Sequence, residues 1–281
     1  MEYGRLYLVP TPIGNLKDIT LRALEVLNKV DIIAAEDTRQ TLKLLNHFNI
    51  KKKLVSYHKH NEMSKGEDII NYLKNGEHIA IVTDAGTPGI SDPGAVIVTK
   101  CIEQGIKFEV LPGATAITTA LVYSGLDTTR FVFRGFIPRE NKERNILLDE
   151  IKDIKDTIIF YESPHRILST LNLLKENLGN RRIALCKELT KLYENITRGK
   201  IDDVINEIQD KNIKGEFVIV VEGKTKEEIE RVNREKWEGL DIKDHILMLI
   251  NEGISKKEAI KLVAKERGLA KNEVYKISTE I

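Results

Sequence analysis

Apolar positions along the first 125 residues fall into two alternating rhythms. Short continuous runs at residues 6–10, 31–35, 54–57, 78–83 and 108–111 predict buried strands. Between them, residues 20–29, the stretch through Leu42, Leu44, Leu45 and Phe48, residues 69–73 and residues 95–104 carry helical spacing. Strands alternating with helices predict a parallel sheet covered on both faces. After Gly125 the rhythm resumes, with strands predicted at 130–135, 157–161, 182–187 and 216–222 and helices at 168–177 and 201–208. From about Thr225 the strands stop, and charged sequence predicts three short helices at 244–251, 256–266 and 271–277. Ser255 and Glu258 have the spacing of a capping box, and Gly268 suits a helix end. The fold class is therefore α/β. Two α/β domains, residues 1–125 and 126–225, precede a helical domain at 226–281 with the look of a helix-turn-helix.

Composition narrows this only a little. No apolar run approaches the roughly 18 residues of a membrane span, and the opening MEYGRLYLV reads as a first strand and not a signal peptide. Cys101 and Cys186 sit in apolar patterns without metal-like spacing, as buried thiols do in a reducing compartment. The expectation is a cytoplasmic protein without a metal or a membrane. A formal net charge of +1 neither supports nor excludes nucleic acid, so any basic face must be local.

Chemistry concentrates in three strand-end loops, at 10–15, 84–94 and 112–119. The middle one, Asp-Ala-Gly-Thr-Pro-Gly-Ile-Ser-Asp-Pro-Gly, holds three glycines and two prolines in eleven residues. Glycine permits close backbone approach and proline stiffens the path, giving a rigid polar shelf or a plain structural double turn. No G-x-G-x-x-G follows the first strand and no P-loop occurs, so a dinucleotide or nucleoside triphosphate site lacks support.

Five motifs in order, Val9-Pro-Thr-Pro-Ile-Gly-Asn-Leu16, Glu36-Asp-Thr-Arg39, the loop from Asp84 to Gly94, Leu111-Pro-Gly-Ala114 and Ser163-Pro-His-Arg166, resemble the ribosomal RNA small subunit methyltransferase I family. That family lies within the tetrapyrrole methylase superfamily, the class III methyltransferases, and the likeness spans the chain. The resemblance implies S-adenosylmethionine bound between the two α/β domains, usually in a homodimer. It implies 2′-O-methylation of a cytidine near the decoding site of 16S ribosomal RNA in the small subunit. It places the donor on Pro10, Pro12, Asp84, Ala85, Gly86, Thr87, Thr115 and Ala116, with Tyr161, Glu162, Lys187 and Glu188 from the second domain. Tetrapyrrole-modifying relatives share a Gly-Asp-Pro turn where this chain has Asp84-Ala85-Gly86, which argues against a porphyrinoid acceptor.

The strand ends also supply candidates for chemistry. One of Glu36, Asp37, His165 or Lys187 would assist deprotonation of a ribose hydroxyl, with Arg39 and Arg166 on phosphates. Glu36 to Arg39 also fit a helix cap with a local ion pair, and His165 a structural hydrogen bond. Arg130, Arg134, Arg139, Lys142 and Arg144, interleaved with Phe131, Phe133 and Phe136, suit RNA or a half-buried strand equally. The tail, with seven Lys or Arg against three Glu between Gly253 and Lys276, suits RNA through Lys256, Lys257 and Lys261, or dimerisation. Methylation of a tetrapyrrole or another small acceptor, and an RNA-binding factor without catalysis, remain the alternatives.

Overall fold

The structure, a computed structural model, describes residues 2–211, 213–229, 237 and 239–279. Five strands form the first sheet: β1 (Leu6–Leu8), β2 (Ile32–Ala35), β3 (Lys53–Ser56), β4 (Ile79–Val82) and β5 (Phe108–Val110). They lie in the order β3-β2-β4-β1-β5, and every pairing is parallel. Helices α1 (Leu21–Lys29) and α2 (Thr38–His47) cover one face; α3 (Glu62–Lys74) and α4 (Ala95–Glu103) cover the other.

Successive strand residues point to opposite faces, which explains the continuous apolar runs. Ile33, Ala35, Ala80 and Val82 pack with Ala23, Leu27 and Leu45. Ile32, Ala34, Ile79 and Ile81 pack with Tyr57, Ile69, Leu73 and Cys101 on the opposite side. Local signals start the helices: Thr20 Oγ1 accepts the Ala23 N–H at 3.0 Å, and Asp37 accepts the Arg39 N–H at 2.8 Å.

Helix α5 (Ala116–Ser124) begins inside the predicted third loop, so that bend is shorter than the sequence implied. Its residues are apolar nearly all round, which hides helical periodicity. Although it falls within residues 1–125, α5 packs on the second sheet through Ile117, Ala120 and Leu121.

That second sheet comprises β6 (Phe131–Phe136), β7 (Thr157–Glu162), β8 (Arg182–Lys187), β9 (Asn195–Lys200) and β10 (Phe217–Val221), in the order β6-β7-β10-β8-β9. Only β6 and β7 are parallel; β10 runs against both β7 and β8, and β9 against β8. Helices α6 (Asn141–Ile151), α7 (Ile167–Leu178) and α8 (Ile201–Ile208) bury the other face. Neither α6 nor β9 was predicted. The sequence of β9, NITRGK, lies on an edge and buries only Thr197, so it shows no apolar run.

The three predicted tail helices are present as α9 (Ile242–Asn251), α10 (Lys256–Arg267) and α11 (Lys271–Ser278), around a small core of Ile246, Ile260, Val263 and Val274. Ser255 accepts the Glu258 N–H at 3.4 Å and donates to its carboxylate at 2.9 Å, and Gly268 ends α10 in the left-handed region. Residues 230–236, at the start of the tail, lie outside the described residues. No described helix is long and apolar enough to cross a membrane.

Candidate active site

Because the first sheet is all parallel, the turns after β1, β2, β4 and β5 open along one edge, where ligands of α/β sheets bind. Thr11 and Gly86 exchange backbone hydrogen bonds of 2.9 and 3.0 Å, joining the first two bends. Thr11 Oγ1 donates to the Thr83 carbonyl at 3.0 Å, and Thr87 Oγ1 donates to the Ala114 carbonyl at 3.3 Å. Pro10 packs on Gly113 so closely that a side chain there has no room. Gly86, at φ +83°, makes the turn in a region other residues rarely adopt. The three bends share one hollow.

The second sheet closes that hollow. Ile13 enters the apolar cluster of α5, β8 and β10, and the Asn15 N–H donates to Thr190 Oγ1 at 3.0 Å. Between the two halves lies a cavity of about 360 Å³. Ile13, Ala85, Gly86, Ala116, Leu189 and Val218 give it apolar wall, and Glu36, Asp84, Asp92, Glu162 and Glu216 bring five carboxylates. Among the described residues, no Lys, Arg or His lines it.

The carboxylates are unequal. Glu162 is buried and satisfied: Thr170 Oγ1 donates to it at 2.7 Å, the Ser163 N–H at 2.8 Å, and Arg166 stands 3.4 Å away. Burial raises the pKa of both Glu36 and Asp84. Burial, reinforced by Glu36, Asp84 and Glu216, pushes Asp92 up to about 7. Asp37 is the reverse: hydrogen bonds from Arg39 hold its carboxyl at about 2. Excess negative charge beside an apolar wall suits a partly apolar ligand carrying positive charge.

Of the expected donor-site residues, Asp84, Ala85, Gly86, Thr87, Thr115, Ala116, Tyr161 and Glu162 line the cavity. Pro10 and Pro12 are buried behind it. Glu188 lies off its wall and accepts the Glu216 N–H at 3.0 Å, fixing the segment that does line it. Of the four acid–base candidates, only Glu36 is on the wall. Asp37 sits one step back, its N–H donating to Asp84 at 3.2 Å; His165 is exposed, and Lys187 is half-buried at the end of β8. Arg39 is bound into the α2 cap through Asp37, Arg134 pairs with Glu150 at 3.2 Å, and Lys256, Lys257 and Lys261 are exposed on α10.

Asp92 and Glu216 line the cavity without being singled out in the sequence, and Phe136, read there as an aromatic for RNA or a half-buried strand, lines it too. Asp92 was legible as the second carboxylate of the Gly-Pro loop. Glu216 was not, because it reaches this edge only through the reversed direction of β10.

The sequence profile of the tetrapyrrole (corrin/porphyrin) methylases matches residues 5–205. The chain is 50% identical over 278 residues to the ribosomal RNA small subunit methyltransferase I of Halalkalibacterium halodurans, covering 98% of this chain and 95% of that one. The protein of the same name from Bacillus subtilis is 50% identical, covering 98% and 94%. This chain belongs to the ribosomal RNA small subunit methyltransferase I family. Likeness at this level extends to Escherichia coli O157:H7, at 44% identity over 99% of this chain and 95% of the relative. Among solved structures, diphthine synthase superposes with a TM-score of 0.63 at 16% identity, covering 79% of this chain and 91% of that one. Uroporphyrin-III-C-methyltransferase from Thermus thermophilus gives 0.55 at 21%, covering 78% and 92%. At such identities these two show the shared fold alone. A methyltransferase family implies a methyl donor, and the charge of this cavity fits a cationic one.

Proposed function

We propose that this protein transfers a methyl group from S-adenosylmethionine to the ribose 2′-hydroxyl of a cytidine near the decoding site of 16S ribosomal RNA. The observation that supports this reading is the acidic cavity at the seam of two α/β halves, in a chain of this family. S-adenosylmethionine supplies an electrophilic methyl group held on a sulfonium. Asp84, Asp92 and Glu216 stabilise positive charge in the cavity, and the Gly86–Thr87 and Thr115–Ala116 backbones shape its wall. Pro10 and Pro12 stiffen that wall from behind. Tyr161 and Glu162 close the site from the second sheet, and Glu188 steadies Glu216. Holding the reacting atoms in line is the main contribution asked of such a site.

A ribose hydroxyl is a weak nucleophile, so a proton acceptor helps. We assign that role to Glu36, on the wall with a raised pKa. Asp37, held at about 2, is a poor acceptor and a good brace for Asp84. His165 and Lys187 take places at the rim. Residues 1–125 supply the donor site, 126–225 complete the cleft, and 226–281 contact RNA. Arg39, Arg134, Arg139, Arg166, Lys256, Lys257 and Lys261 are the proposed RNA contacts. The working unit is a homodimer in the cytoplasm. Exposed Val122, Tyr123, Leu192 and Tyr193, with the Tyr123 hydroxyl donating to Glu194 at 3.1 Å, offer apolar surface to a second copy.

Incubating the protein with labelled S-adenosylmethionine and small ribosomal subunits lacking the modification tests the whole reading. Nuclease mapping is expected to place the label on one cytidine ribose. Label on a base, or none, overturns it.

A further inference from the structure

Five carboxylates in the cleft repel the phosphodiesters of an RNA strand, so the strand needs somewhere else to rest its charge. An open groove of opposite character adjoins the cleft. Arg139, Arg144 and Arg166 line it, with Glu176 its single carboxylate. Two segments serve both places. At the end of β6, Phe136 lines the cleft and Arg139 the groove; after β7, Glu162 lines the cleft while Arg166 and Thr170 line the groove. Glu162 is thus the partition, held from the groove side by Thr170 at 2.7 Å and by Arg166 at 3.4 Å.

The groove's donors are only partly used. Arg166 donates to the Ile137 carbonyl at 2.6 Å, and Arg144 donates through Nη2 to Asn141 at 2.7 Å. Arg144 Nε is buried without a hydrogen-bond partner. Arg139 is exposed and lines the groove. Each guanidinium carries five donors in a planar fork that matches phosphate oxygens.

We infer that this groove seats a phosphate of the RNA strand next to the methylated nucleotide. The inference rests on the methyl-transfer reading and gives it a polarity: backbone on the arginine side, ribose directed over the Glu162 partition into the acidic cleft. Segregating charge in this way lets a chain of formal net charge +1 hold a polyanion at one place and a cation beside it.

The test compares Arg139→Gln, Arg144→Gln and the double variant with the parent protein. KM and kcat are measured on small ribosomal subunits, their binding is measured directly across a salt series, and S-adenosylmethionine affinity is measured by calorimetry. The double variant is expected to bind subunits about tenfold more weakly, with the slope of log affinity against log salt reduced by roughly one. Its kcat and donor affinity are expected to match the parent. Arg144→Lys recovers part of the loss. Arg182→Gln, at the far end of β8 in a pair with Glu222, leaves subunit binding unchanged. Arg139→Gln alone carries the test if Arg144→Gln fails to fold, because Arg139 is exposed. Parental subunit affinity and salt slope in these variants overturn the inference, as does a loss confined to donor affinity. Failure of the methyl-transfer reading is seen separately, as an absence of transfer by the parent protein.

Discussion

The charge of the cleft fixes how donor binding responds to pH. Without ligand, burial and the adjacent Glu36, Asp84 and Glu216 carboxylates hold Asp92 up at about 7. A cation bound beside it favours the ionised form. For a cation placed within roughly 6 Å, at an effective dielectric of about 20, the attraction would be about 3 kcal/mol, or roughly 100-fold in affinity. Binding of a cationic donor is expected to expel the Asp92 proton, so affinity should rise with pH below about 7, by at most about tenfold per pH unit, and level off above it. The ligand-free fold responds in the opposite sense. Between the ordinary aspartate value of 3.8 and about 7 the folded chain binds the extra proton, so the contribution of Asp92 to stability falls as pH rises through that window. Calorimetry from about pH 5.5 to about pH 8, in buffers of different ionisation enthalpy, reads affinity and protons released together. Asp92→Asn is expected to flatten the profile and weaken binding at the alkaline end by up to about 100-fold. Donor affinity independent of pH, with no proton released, would refute this reasoning.

A Cβ at Gly215, which stands at φ +97°, would fall 2.6 Å from Glu188 Cγ and push that side chain off the Glu216 N–H; Gly215→Ala is expected to cost about 1–3 kcal/mol, read as a lower thermal midpoint together with weaker donor binding. Thr170→Val removes a 2.7 Å hydrogen bond to the buried Glu162 carboxylate; urea unfolding should show a loss of about 1.5–3 kcal/mol, mostly restored by Thr170→Ser. Burial pushes the Cys101 and Cys186 thiols up to about 11 and about 12; both are expected to resist an aromatic disulfide reagent until the chain is unfolded, and rapid labelling of the native protein would contradict their burial.

Legibility in the sequence followed burial. The central strands β2 and β4 of the first sheet are covered on both faces, so every one of their residues is apolar and the runs stand out. The tail helices were legible through their caps, Ser255 and Gly268, because a cap is a local interaction written in adjacent residues. Strand β9 and helix α5 were obscured for opposite reasons. The first lies at an edge with little to bury, and the second is apolar on too many sides to show a period. Cavity-lining residues of the glycine-proline loop, Asp84 to Thr87, were legible because stiff, small-residue turns stand out in composition at strand ends.

The sequence by itself determined the alternation of strands and helices, the three stiff bends, the capped tail and the family to which the chain belongs. Only the tertiary structure decided which charges meet. Reversal of β10 carries Glu216 to the edge where β7 and β8 end, placing it with Glu36, Asp84 and Asp92, residues 124 to 180 positions earlier in the chain. Arg166 could equally have faced solvent; packing of α7 sets it against Ile137 and Glu162. Propensities and caps act between near neighbours and are visible in one dimension. Electrostatic environments are sums over space, and chain order does not contain them until the sheets have closed on each other.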